Sequence, residues 1–384
     1  MIRMLFAVDR RLTIFTLLLL GLGLFSVFGA STYDATVNGD PELSFVMRHL
    51  VRGGLALAAC AVLSLVPYRL TCRLALLGLI PVGGLLLITV LGGKMVRSAH
   101  EINRWIEVFG VVVQPVELAK LGLALGIPYW IDTHPESRVQ LRGGFLTLLM
   151  IPAPVLFLLV LQPNFGSALA LGILCAALFF FGGVRLRYLV TLGGIVAGLG
   201  WLGYSHVGKL QYRVDAWLEL LMGRGSQGTE VAYQSWQALV GIGSGGLTGV
   251  GPGASTMKYR FLPEGHTDFI FAIYSEELGF LGAAFLLAIL GLWLARAMKI
   301  AWRAPDGLAY LAALGVGTMV FIYAMINLAM VVGLLPVAGL PLPFMSYGGS
   351  ALITNMAGVG VLLNISRRLH RNRRPTDRWK GVVA

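Results

Sequence analysis

The stretch LTIFTLLLLGLGLFSVFGA, Leu12–Ala30, runs through nineteen residues without a charge, directly after Arg10 and Arg11. An α-helix needs about 20 such residues to cross roughly 30 Å of hydrocarbon. The block lacks the polar and apolar alternation of an outer-membrane barrel strand. The same texture extends along the chain, where 57% of the 384 residues are hydrophobic and 12% are charged. Exposing that much apolar surface to water carries a large free-energy cost, so a soluble globular domain is excluded. The basic flank and small-residue end of the first block also fit a signal peptide. The many apolar blocks that follow favour an uncleaved first helix.

Further spans are predicted near 49–67, 72–92, 115–131, 145–161, 165–183, 186–205, 268–295, 308–334 and 347–366, ten in all with 12–30. The expected fold is an all-α polytopic membrane bundle of about ten transmembrane helices, one domain over 1–384. An even number puts both termini on one face. Arg3, Arg10, Arg11, Arg69, Arg73, Arg138, Arg142, Arg185, Arg187, Arg296, Lys299, Arg303 and the basic tail 367–384 all fall there, which makes that face cytoplasmic. The tail sequence RRLHRNRRPTDRWK reads as a juxtamembrane segment drawn to anionic lipid heads, or as a protein contact. Cys60, Cys72 and Cys175 lie in or beside spans with no metal-ligand spacing, and read as packing residues.

Lys94, Arg97, Arg104, Lys209, Arg213, Arg224, Lys258 and Arg260 fall in two outer loops, against the orientation rule. Either an anion outside explains them, or they pair with acidic neighbours such as Glu101, Glu107, Asp215, Glu219, Glu230 and Glu264. The longer loop, 206–267, joins the seventh and eighth spans and carries Gly241, Gly243, Gly245, Gly246, Gly249, Gly251 and Gly253. Loops of that length in compact bundles are usually functional, and the apolar residues between its glycines argue against disorder. Tyr233 to Val240 has the makings of a short interfacial helix.

Several constellations carry chemistry. In QPVELAK, Gln114–Lys120, Pro115 suits the first helical position, and Glu117 and Lys120 share one face at i, i+3. Ionisable groups within a membrane face the bundle interior and pair, and they often mark a substrate path. In QPNFGS, Asn164 suits a helix start. Arg104 in RWI is either an interfacial anchor or a phosphate clamp. LPLPFMSYGGS, Leu340–Ser350, which contains Ser346, has too many prolines and glycines for a helix, and irregular backbone at that depth lines a cavity or is buried in protein. In LPEGHTDFIFA, Leu262–Ala272, Thr267 or Asp268 can cap the eighth span. The alternation of Glu264, His266 and Asp268, with Glu276 and Glu277 two turns on and Lys258 and Arg260 upstream, also makes a charged rim suited to a general base acting on a lipid-linked anion.

RWI, QPVELAK, QPNFGSA, AYQSWQALVGIGSGGLTGVG, LPEGHTDFIFA, EELGFLG and LPVAGLPLPFMSYGGS stand in an order that resembles the SEDS family (shape, elongation, division and sporulation; the FtsW/RodA type) over nearly the whole chain. The resemblance implies a peptidoglycan glycosyltransferase of the cytoplasmic membrane that polymerises lipid II on its outer face. The implied partner is a single-pass class B penicillin-binding protein, alongside other division or elongation proteins, with no nucleic acid involved. It assigns the essential aspartate to Asp268, as base toward the 4-hydroxyl of one lipid-linked disaccharide. Undecaprenyl pyrophosphate leaves the growing glycan, and the anomeric centre inverts. Arg104, Lys258, Arg260 and Arg213 are then candidates to offset pyrophosphate charge, and Glu117, Lys120, Glu264, His266 and Ser346 are candidates to bind substrate. A divalent cation, Mg or Mn, is a further expectation from the resemblance. The chain departs from the family pattern at Asn164, where Asp is usual, and at Val116, where Ser is usual. YQSWQAL resembles the division enzyme more than the elongation enzyme. A lipid II transporter working through Glu117 and Lys120, and a recruiting scaffold, are the competing functions.

Overall fold

The computed structural model describes residues 9–37, 44–92, 96–99, 102–108, 111–257 and 267–371. Helices stand at all ten expected spans. They are α1 (Arg10–Val37), α2 (Ser44–Leu65), α3 (Tyr68–Leu91), α4 (Pro115–Thr133), the pair α5 (Leu146–Leu149) and α6 (Pro152–Leu161), α7 (Phe165–Phe181), α8 (Leu186–His206), α11 (Ile270–Trp302), α12 (Gly307–Val331) and α13 (Gly349–Arg371). Six are long and apolar enough to cross a membrane, or seven when the 42° bent pair formed by Leu141–Leu149 and α6 counts as one span. The segments Phe165–Phe181 and Leu186–Gly198 are shorter apolar helices. The protein is thus a multi-pass membrane protein.

α12 and α13 form the buried centre, while α2 and α3 turn most of their surface outward. α13 packs along α2, α3 along α4, and α11 against α12 and α1. Side chains join the ends of these helices on one face. Asp9, just before α1, takes the Arg296 guanidinium of α11 at 2.5 Å, and Asp306, which caps α12, takes Arg69 and the Tyr68 hydroxyl of α3 at 2.6 Å. The start of α11 therefore lies on the opposite face, which the distribution of basic residues makes the outer one. Cys60, Cys72 and Cys175 are buried and unbridged, as packing residues are.

Three features depart from the sequence reading. The loop before α4 is a three-stranded antiparallel meander, β1 (Val96–Ala99), β2 (Ile102–Val108) and β3 (Val111–Val113). Its register pairs Val96 with Ile106 and Ile106 with Val113, a β-branched pairing that favours strands. The long outer loop holds two helices, α9 (Gly208–Leu221) and α10 (Glu230–Ser244), the second longer than Tyr233 to Val240. Thr229 caps α10 through the Ala232 N–H.

The third departure is a break in α11 at Gly279, whose φ of +64° suits glycine. The loop Gly246–Gly251 docks there. Its Gly246 and Leu247 carbonyls accept from the N–H groups of Phe280 and Leu281, and its Val250 and Gly251 N–H groups donate to the Glu276 and Glu277 carbonyls. Four backbone groups orphaned by the break are thereby satisfied, a requirement where water is scarce.

Candidate functional site

Asp268 stands two residues before α11, whose cap position is taken by Phe269, so neither Thr267 nor Asp268 occupies the cap expected of them. Two side chains fix the backbone here. Asn327 of α12 donates from one Nδ2 to the carbonyls of Asp268 (2.8 Å) and Leu340 (2.7 Å). The Ser346 hydroxyl donates to the Thr267 carbonyl (2.6 Å) and accepts from the Leu342 N–H (2.7 Å). The irregular segment before α13 is thus buried in protein and stapled to the residues around Asp268. Its tight turn places the buried Phe344 at a φ of +67°, a region costly for a side-chain-bearing residue.

Gly339 lies between two charges. A Cβ added to it would sit 3.5 Å from Arg104 Nη1 and 3.6 Å from Asp268 Oδ2, and its φ is +68°. Both are ordinary contact distances, so the positive φ is what calls for glycine here, while the guanidinium and the carboxylate flank the turn. Arg104 comes from β2, on the same side of the strand as the buried Ile106, and donates from Nη2 to the Pro163 carbonyl at 3.4 Å. Burial pushes the Arg104 pKa down to about 10; repulsion from Arg213 of α9 acts the same way and Asp268 opposes it. Arg213 is likewise lowered by burial and raised by Asp268. Two half-buried cations from separate outer elements thus share the field of one half-buried carboxylate, and both remain charged at neutral pH.

Glu117 and Lys120 lie deeper. Lys120 Nζ is 2.5 Å from Glu117 Oε2, both residues are at most 2% exposed, and the ammonium sits 4.2 Å above the Tyr323 ring. Tyr323 and Asn327 are one turn apart on α12, so the residue that packs on this ion pair neighbours the one that holds Asp268. Asn164 takes the cap position of α7, is 1% exposed, and neither of its amide atoms has a hydrogen-bond partner.

Glu276 and Glu277 belong to the interior instead of the rim. Glu276 is 1% exposed and accepts from the Ser255 hydroxyl, the Thr256 N–H (3.0 Å) and hydroxyl (2.7 Å), and the Met257 N–H (3.3 Å). The Glu277 carboxylate lies against Gly29 of α1. Lys258, Arg260, Glu264 and His266 lie outside the described residues.

Among the described residues no three His, Cys, Asp or Glu side chains come together, and the guanidiniums of Arg104 and Arg213 share the field of Asp268. That donor set does not fit a divalent cation, which needs several oxygen ligands. The expectation of Mg or Mn rests on the family resemblance, and Glu264 and His266, the neighbouring candidate ligands, lie outside the described residues.

Asn327 and Gly339 emerge only from the fold. A lone amide in the apolar run AMINLAM was the available signal for Asn327. Gly339 carried none, because its role depends on two residues distant in the chain.

Residues 10–371 match the FtsW/RodA/SpoVE family, described as cell cycle proteins. Stage V sporulation protein E of Bacillus subtilis is 35% identical over 366 residues, covering 94% of this chain and 97% of that protein. The probable peptidoglycan glycosyltransferase FtsW of Geobacter sulfurreducens is 33% identical over 350 residues, 90% of this chain and 92% of its own length. Among solved structures, a chain from a peptidoglycan synthase complex that coordinates polymerization and crosslinking superposes with a TM-score of 0.77 at 27% identity, over 95% of this chain and 99% of that one. The rod shape determining protein RodA of Thermus thermophilus superposes at 0.65 with 29% identity, over 94% and 97%. With a match spanning the bundle, the outer loops and the segment that holds Asp268, the chain belongs to the FtsW/RodA/SpoVE family, the SEDS glycosyltransferases.

Proposed function

We propose that the chain polymerises lipid II on the outer face of the cytoplasmic membrane, with Asp268 as the general base. Peptidoglycan glycosyl transfer is the activity of the family, and the observation that carries the finer reading is a carboxylate at the outer end of α11 facing the guanidiniums of Arg104 and Arg213. In this reaction the 4-hydroxyl oxygen of one lipid-linked disaccharide bonds to the anomeric carbon of the growing glycan. The bond from that carbon to undecaprenyl pyrophosphate breaks, and the hydroxyl proton passes to the Asp268 carboxylate. The leaving group takes the bonding electron pair as pyrophosphate charge, which Arg104 and Arg213 are placed to offset in a site of reduced dielectric. Asn327 and Ser346 hold the backbone on either side of the base, which keeps it within reach of the sugar.

The partner is a class B penicillin-binding protein that cross-links the product; the assembly in which the similar solved chain sits supports this. Division-type activity is the finer assignment, supported by YQSWQAL and by the FtsW relatives. The decisive assay follows polymer formation from purified lipid II by this chain with its transpeptidase. Asp268→Ala should abolish polymer while the variant still inserts and binds its partner. Unaltered polymer from that variant would remove Asp268 from the mechanism.

The buried Glu117–Lys120 pair reads as a structural support, its two charges matched to one another inside the bundle. Movement of labelled lipid II across vesicles that stops on Glu117→Gln and ignores Asp268→Ala would establish the transporter instead.

A further inference from the structure

The outer helix α9 has two unlike sides. Arg213, Ala216, Trp217 and Leu220 recur at i, i+3, i+4 and i+7, the spacing of one helix face. Ala216 on that face is 1% exposed, while Tyr212, Leu218 and Leu221 turn outward. The two carboxylates of α9 have other partners. Asp215 accepts from the Tyr204 hydroxyl at 3.2 Å, and Glu219 accepts from the Thr229 N–H at 3.0 Å. The carboxylate whose field reaches Arg213 is Asp268.

Trp217, one turn beyond Arg213, fastens this face to the bundle. Its indole Nε1–H donates to the Gly333 carbonyl at 2.9 Å. α12 ends at Val331, and Gly333 carries the chain out of the helix with a φ of +76°. Backbone carbonyls at and beyond a helix end lack an intrahelical donor, and here the indole supplies one. Leu220 reaches the same place, since a Cβ on Gly333 would lie 3.2 Å from its Cδ2. The outer end of α12 thus carries two fixtures of the site. Asn327 holds the backbone of Asp268, and Gly333 takes the indole of the helix that bears Arg213.

We propose that Trp217 is a positioning residue for the glycosyl transfer: its indole N–H, bonded to the Gly333 carbonyl, sets the distance of the Arg213 guanidinium from the reacting centre. The inference rests on the reading of Arg213 as a cation that offsets leaving-group charge. Such stabilisation depends on groups fixed beforehand, and a displacement of about 1 Å is enough to cost up to 10²-fold in rate. The rest of α9 packs along α10 and against α8, both outside the part of the bundle that holds Asp268. Apolar contact through Leu220 is non-directional and lets a surface helix slide; a hydrogen bond is directional and fixes its register. Because Arg213 acts on charge that grows as the glycosidic bond breaks, loss of the fastening falls on kcat and leaves KM little changed.

The test follows polymer formation from lipid II by the full chain with its transpeptidase in nanodiscs. Trp217→Phe keeps an aromatic ring and removes the N–H. It should lower kcat about tenfold with KM little changed. In an Arg213→Gln background the same substitution should have no further effect, whereas in an Arg104→Gln background, whose cation comes from β2, it should still lower the rate. An indole that only packs or anchors the helix in the interface keeps full kcat in Trp217→Phe, and that result overturns the proposal. Losses that multiply in the double variant with Arg213→Gln overturn it too. Should Trp217→Phe fail to insert, benzothienylalanine incorporated at position 217, which keeps the shape of the indole and has sulfur in place of its N–H, should show the same loss; full kcat there overturns the proposal. A wild-type rate from Arg213→Gln would refute the role of that cation and this proposal with it. Polymer from Asp268→Ala would refute the assignment of the base and leave the coupling of Trp217 to Arg213 readable.

Discussion

Asp268 and Glu276 are two carboxylates eight residues apart at the same end of α11, and their surroundings differ in kind. Glu276 is sealed in, with hydroxyl and N–H donors of Ser255, Thr256 and Met257 on its oxygens. These are neutral donors from one short loop, and together with the docking of Gly246–Gly251 into the break at Gly279 they bind that loop to the helix. Asp268 is half-buried, and the groups in its field are cations from β2 and α9. A carboxylate saturated by neutral donors is a structural fastener. One held by its backbone, with cations in the field of its side chain, can exchange a proton and accommodate charge that appears during a reaction.

The contrast can be broken or sharpened by substitution. Asp268→Asn keeps shape and should lower the polymerisation rate by about 10²–10⁴-fold with the thermal midpoint unchanged, measured on lipid II and by unfolding in detergent. A fall in the midpoint that matches the loss of activity would make Asp268 a second fastener. Glu276→Leu should do the reverse, destabilising by about 3 kcal/mol through buried donors left unpaired, while the activity per folded molecule changes little. Arg213→Gln should reduce the rate on the order of 10²-fold with no change in stability, as expected for a group that stabilises developing charge. An unchanged rate would place Arg213 outside the reaction field. Gly339→Ala should cost about 1–2 kcal/mol for its backbone conformation, measured by unfolding in detergent, with a smaller effect on the rate because the added methyl reaches Arg104 and Asp268 only at ordinary contact distance.

The helices at the ten expected positions, the Pro115 start of α4 and the Glu117–Lys120 pair follow from local rules: hydrophobic length, proline's fixed φ and the i, i+3 geometry of a helix. A charge at the threshold of an apolar run is expensive, which draws attention to Asp268 beside its charged neighbours, and the family resemblance supplies its role as base. The same rule misplaced Glu276 and Glu277 at the rim, because only long-range packing shows that a distant loop supplies the donors of one and that α1 covers the other. The meander before α4 also escaped a reading tuned to helix-length blocks, since its strands are 4, 7 and 3 residues long.

The sequence by itself determined that this chain crosses the membrane many times and that Asp268 stands at the threshold of an apolar span, since apolar length and the charges that bound it are properties of short segments. Tertiary structure alone decided that Arg104, Arg213 and Gly339 converge on Asp268, that Asn327 and Ser346 hold its backbone, and that a loop fills the break in α11. Those contacts join residues separated by tens to hundreds of positions, and their geometry depends on how rigid helices pack, which no local pattern encodes.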